Sequence, residues 1–170
     1  MIPFSVTILG CGSATPTLTR HPAAQVLNHN NRLFLIDCGE GTQIQLRQYN
    51  IRFQRIDHIF ISHLHGDHFY GLIGLISTMS LLGRKATLHI HSPSPIEEII
   101  AVQQKFSQEH IGYPVQYHPL NFSASQVIVE TNFLILTNTR IIPMFTCTAL
   151  LLLRTLESMA TPCSVKTYGR

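Results

Sequence analysis

Between Phe60 and Gly71 the chain reads "FISHLHGDHFYG", which gathers His63, His65, Asp67 and His68 directly after an apolar run. In an extended segment His63 and His65 share one side, and Gly66 lets the backbone turn so that Asp67 and His68 approach from another direction. Neutral imidazole and carboxylate both suit zinc, and the same mixture admits manganese or iron. One ion can take His63 and His65 while Asp67 and His68 reach a second. Such a pair can share a hydroxide, lower its pKa and stabilise negative charge on a phosphoryl oxygen. A single histidine at a strand end is ordinarily a surface or satisfied core residue; four ligand-type residues at one strand mouth reverse that preference.

The elements around this stretch must hold it in place. "FSVTILG" predicts a first strand ending in the glycine-rich turn "GCGSATPT", and "NRLFLIDCG" a second, bounded by "NHNN" and Gly39. "GTQIQLRQYNI" offers about three helical turns, although Ile44 and Leu46 are too close to share a narrow stripe. "RIDHIFIS" is apolar enough for a strand covered on both faces. "FYGLIGLISTMSLLG" predicts a helix ending near Gly83, and "ATLHIHSP" a strand whose His89 and His91 suit exposed or structural roles. In "SPIEEIIAVQQKF" Ser94 is the expected N-cap, with Pro95 at the first helical position and Glu97 completing a capping box. Ile96, Ile99, Ile100 and Phe106 are expected to form its buried stripe. "VQYHPL", "SQVIVE", "NFLILTNTR" and "ALLLLR" read as later strands, so the order is that of an α/β layered domain.

A chain of 170 residues, 45% hydrophobic, is long enough for one core. The expected organisation is a domain over residues 1–160 and a loose tail over 161–170, where "TPCSVKTYGR" lacks periodicity. Cys11, Cys38, Cys147 and Cys163 form no CxxC pair, which argues against a structural zinc knuckle and for reduced thiols in the cytoplasm. No apolar run is long enough to span a bilayer, "ALLLLRTLESM" being interrupted by Arg154. A formal charge of +3 permits a polyanionic substrate without arguing for one. Only 12% of residues are charged, so polar side chains or a partner must cover part of the surface.

Several ordered motifs carry a family resemblance. "SHLHGDH" resembles the HxHxDH signature of the metallo-β-lactamase superfamily. "ILGCGSATPT", "FLIDCGEGTQIQLRQ", "IDHIFISHLHGDHFYGLIGLISTMSLLGR" and "LHIHSPSPIEEII" resemble successive segments of the ribonuclease Z family, over about residues 3 to 135. The resemblance implies an αββα sandwich, of which this chain holds about the N-terminal half, and hydrolysis of a phosphodiester at the 3′ end of precursor tRNA by a zinc-dependent, usually dimeric enzyme. It further implies that His63 and His65 belong to one zinc and Asp67 and His68 to the other. Asp67 would be the general base, Asp37 would lie beneath the site, and Gly39, Glu40, Gly41 and Thr42 would form the adjoining loop. Read without the resemblance, Asp37 and Glu40 suit a turn former and a surface acid.

Other features depart from that pattern. In "LTNTRIIPMFTC" Thr139 stands where the family has a ligand histidine, with Arg140 beside it, and threonine does not replace imidazole on zinc. No histidine follows His118, the last aspartate and histidine of the family site are unmatched, and no segment corresponds to the family's tRNA-gripping arm. Two expectations follow: a ribonuclease Z-like zinc endonuclease, weak or inactive as this chain, or a catalytically inactive metallo-β-lactamase-fold scaffold or RNA-binding remnant. A third class, a lactamase- or glyoxalase-like hydrolase, has little beyond the shared HxHxDH. Half a sandwich would also leave an apolar sheet face to be covered by a homodimer partner.

Overall fold

The computed structural model describes residues 4–15, 17–108, 110–120, 126–131, 134–138, 152–154 and 164–167. Thr139 and Arg140 lie outside the described residues. Strand β1 (Phe4–Gly10) leads through the glycine-rich loop to β2 (Ala24–His29) and β3 (Arg32–Ile36). Helix α1 (Thr42–Gln48) precedes β4 (Ile56–Phe60), and a single-turn α2 (Gly66–Phe69) runs into α3 (Gly71–Leu81). Strand β5 (Leu88–Ser92), α4 (Ile96–Ser107) and β6 (Val115–Pro119) follow. Strands β7 (Gln126–Thr131), β8 (Leu134–Asn138), β9 (Leu152–Arg154) and β10 (Ser164–Thr167) complete the set.

A seven-stranded sheet has the order β10-β1-β2-β3-β4-β5-β6, and β7-β8-β9 form a second, antiparallel sheet. Strands β3 to β6 are mutually parallel, so their C-terminal ends lie along one edge. Strand β2 was not foreseen. It joins β3 through Asn30 and Asn31, both at positive φ (50° and 64°), the backbone of a tight hairpin turn that asparagine tolerates. The stretch expected as a loose tail contains β10, which pairs in parallel with β1, Ser5 opposite Ser164. The free backbone groups on the outer edge of β1 supply a partner that sequence periodicity does not reveal.

One face of the large sheet carries Val26, Leu35, Ile59 and Ile90 into a core completed by Leu46, Leu72, Leu75, Met79, Ile96 and Ile100 from the helices. Helix α1 is two turns rather than three, and it settles the competition between Ile44 and Leu46 by burying Leu46 and exposing Ile44. In α4 the expected stripe divides: Ile96 and Ile100 are buried, whereas Ile99 is 37% and Phe106 78% exposed. Phe106 follows Ile99 by seven residues, so the pair shares a face turned from the sheet. The expected capping box is also absent. Ile96 starts the helix, and the carbonyls of Pro93 and Pro95 accept from the amides of Ile96 and Ile99, leaving no role for a Ser94 hydroxyl. Among the described residues no helix is long and apolar enough to cross a membrane.

The opposite face of the sheet is built differently. Phe34 and Phe60 are buried there, and beside them His58, His89, His91 and His118 form a two-by-two block set by strand register, with His58 opposite His89 and His91 opposite His118. His58 Nδ1 lies 3.1 Å from His91 Nε2, and His89 Nδ1 lies 3.0 Å from His118 Nε2. The His91 ring stacks at 4.6 Å from both Phe60 and His118. Burial, then the neighbouring imidazoles, press His58 down to about 4 and His91 to about 3. Near neutral pH both imidazoles are therefore held in their neutral form.

Because the unfolded chain protonates these groups near pH 6.5 and the folded chain resists until lower pH, their contribution to stability is complete above about pH 7 and is lost as pH falls toward 4. Urea unfolding from pH 7 to 4 is expected to show a loss of a few kcal/mol, and His91→Phe to flatten that slope. An unchanged slope in the variant would exclude the block as its source.

Candidate metal centre

The site forms where β3 and β4 end side by side. After Ile36 the chain turns sharply at Asp37, a non-glycine residue held at φ 57°. Its amide donates to Phe60 O (2.7 Å), the amide of Cys38 donates to His68 O (2.7 Å), and Gly71 returns a bond to Cys38 O (2.9 Å). Gly39 is required by close approach, since a Cβ there would collide with the Asp67 carbonyl and stand 2.5 Å from Pro22 Cβ. The loop following β3 is thus fastened by main-chain bonds to the histidine stretch following β4.

Asp37 is buried beneath the cluster and is its busiest acceptor. Oδ1 accepts from the Ser62 amide (2.8 Å), while Oδ2 accepts from Ser62 Oγ (3.0 Å) and from His68 Nδ1 (2.8 Å). Donation from Nδ1 directs Nε2 of His68 as the remaining nitrogen, the relation by which a carboxylate orients a metal-binding imidazole. Burial alone would lower the His68 pKa, but the hydrogen bond and charge of Asp37, with Asp67 adding to them, raise it above the usual histidine value.

The structure brings all four motif side chains together. The ring of His63 lies 4.6 Å from that of His65 and 3.9 Å from that of His68. Burial, then the neighbouring His68, lower the His63 pKa. His68 Nε2 stands 3.6 Å from Asp67 Oδ2. Burial pushes the Asp67 carboxyl upward, but a 2.9 Å bond from the Ala14 amide, together with the nearby imidazoles, brings it below the usual carboxylate value. Glu40 is exposed, and Thr42 Oγ1 donates to Gly39 O, closing the adjoining loop on itself.

Imidazole and carboxylate form a zinc-compatible set, and two donors on a tetrahedral zinc sit roughly 3.4 Å apart, close to the Asp67–His68 separation. The fit stops at pairs. Among the described residues no group of three or more His, Cys, Asp or Glu side chains is arranged to hold a metal ion.

Two contributors are not singled out by the sequence: Ser62, which braces Asp37, and the Ala14 amide, which reaches Asp67 from the glycine-rich loop. Only Ser62 had a signal, its place between the strand and the first motif histidine. The Asp37 contact gives a direct expectation. In metal-free protein, Asp37→Asn should lower the His68 imidazole pKa, read by NMR titration, while an unshifted midpoint would show that Asp37 does not control that ring.

The family described as "Anti-Pycsar protein Apyc1" matches residues 4–152. A ribonuclease Z from Bacteroides fragilis is 48% identical over 137 residues, which is 81% of this chain and 45% of that protein. The chain therefore spans just under half the length of that curated relative. The crystal structure of human tRNase Z, short form, superposes with a TM-score of 0.73 at 33% identity, covering 80% of this chain and 61% of that one. The metallo-β-lactamase fold protein YhfI from Bacillus subtilis shares the fold alone, with a TM-score of 0.58 at 18% identity over 78% of this chain and 56% of that one. With its parallel strand ends, its helix-covered sheet and these matches, the chain belongs to the Apyc1 family and carries roughly the N-terminal half of a metallo-β-lactamase-like fold homologous to ribonuclease Z.

Proposed function

We propose that this chain is an RNA-binding relative of ribonuclease Z whose hydrolytic centre is incomplete, a scaffold rather than an efficient nuclease. One observation carries the reading: three imidazoles and the Asp67 carboxylate cluster at the strand ends, yet no three donors among the described residues surround a common point. The RNA component rests on homology to proteins named ribonuclease Z and tRNase Z, and a formal charge of +3 is compatible with it.

A second reading is favoured by the pairing of Asp67 with an Asp37-oriented His68. In it His63, His65, Asp67 and His68 hold zinc, Asp67 serves as general base, and the substrate is precursor tRNA cut at its 3′ end in the cytoplasm. Zinc would supply a hydroxide nucleophile and charge stabilisation at the phosphoryl group. The protein's own part is to position the imidazoles, with Asp37 and Ser62 fixing His68 and the Ala14 amide fixing Asp67.

Elemental analysis after dialysis against zinc, run beside cleavage of a tRNA carrying a 3′ trailer, separates the two. The scaffold reading expects less than one zinc per chain, no cleavage in excess zinc or manganese, and retained RNA binding. Stoichiometric zinc with cleavage abolished by His63→Ala and Asp67→Ala would establish the nuclease instead.

Pairing with a second copy belongs to the same proposal, supported by the apolar side chains of Ile99, Val102 and Phe106 exposed along α4. Sedimentation at micromolar concentration is expected to show a dimer, and a stable monomer would remove this part.

A further inference from the structure

Tyr70 ends the single turn of α2 and begins α3, its amide bonded to Gly66 O at 3.0 Å. That turn carries the ring back over Gly66, the residue between His65 and Asp67. Ring atoms Cδ2 and Cζ stand 2.6 and 2.7 Å from where a Cβ would project at Gly66, so only the missing side chain gives the ring room to lie there. Phe69, itself buried, braces it edge-on with ring centroids 5.0 Å apart. Despite this support Tyr70 is 67% exposed. A large aromatic held in place, left open to water and set against the backbone of the histidine cluster is the arrangement of a stacking platform.

We propose that Tyr70 stacks on a nucleobase of single-stranded RNA lying across the histidine cluster. The inference rests on the RNA-binding reading above and deepens it. Stacking requires no base-specific hydrogen bond, so the platform selects for an unpaired base and not for its identity. Its role does not require that metal be held, because Gly66 and Phe69, which position the ring, are not metal-ligating residues.

The chain contains no tryptophan, so Tyr70→Trp creates a unique fluorescent reporter at the platform. Binding of a fluorescein-labelled single-stranded oligoribonucleotide with a tRNA 3′ end and short trailer is measured in chelator, so that cleavage cannot consume the probe. Tyr70→Ala is expected to weaken binding about ten-fold or more, with Tyr70→Phe close to the parent. In Tyr70→Trp, unlabelled RNA of the same sequence should quench the indole emission, and one abasic substitution along the RNA should remove the quench. If RNA binds the parent but Tyr70→Ala binds equally well, or the indole emission is unmoved, the platform is wrong while the RNA-binding reading stands. If the parent chain fails to bind the probe, both fall together.

Discussion

The buried carboxylate of Asp37 is the contact on which the rest of the site depends. It sits where β3 ends and accepts hydrogen bonds from Ser62 and His68, which follow the neighbouring parallel strand β4. Strands β3 and β4 pair in parallel as far as Ile36 and Phe60 with no hairpin joining them, so beyond that point the two following loops are tied by bonds that cross between them. Asp37 makes that crossing with side-chain bonds, and Cys38 reinforces it through main-chain bonds to His68 and Gly71. A buried acceptor of this kind is favourable only while its donors are in place, which is why Ser62 and His68 act as a unit with it. The left-handed backbone at Asp37 is part of the same arrangement, because it turns the carboxylate beneath the cluster.

The two faces of the large sheet solve opposite problems. Toward the helices, aliphatic side chains pack without polar atoms and give the site a rigid floor. On the other face the same strands carry a histidine block among phenylalanines, where paired ring nitrogens satisfy much of the polarity that burial would otherwise leave exposed to an apolar surround. His91 Nδ1 is an exception, buried with no hydrogen-bond partner among the described residues. Burial favours the neutral imidazoles on this face and disfavours charging them.

What could be read from the sequence was what lies close together along it. His63, His65, Asp67 and His68 form one contiguous motif, and the strands and helices flanking it have clear apolar patterns; Asp37 was placed beneath the site by resemblance. The Ala14 amide escaped notice because a backbone donor has no residue type to mark it, and it meets Asp67 only after the glycine-rich loop folds across. The histidine block was hidden for a related reason: His58, His89 and His118 belong to three strands whose register alone makes them neighbours. In α4 a count of isoleucines suggested one stripe, but seven-residue spacing groups Phe106 with Ile99 rather than with buried Ile96 and Ile100. Strand β2 was lost to its polar close at His29 and the asparagines of the hairpin.

The parallel pairing of β1 with β10 also bears on how the molecule acquires its shape. Ser5 meets Ser164 across nearly the whole intervening sequence, so this edge can close only after the strands between have assembled, and loop-closure entropy opposes it until then. During synthesis β1 emerges long before β10, so its outer edge stays unsatisfied until that later strand has been made. Association between nascent molecules would be expected to begin there, making folding yield sensitive to expression rate and chaperone supply.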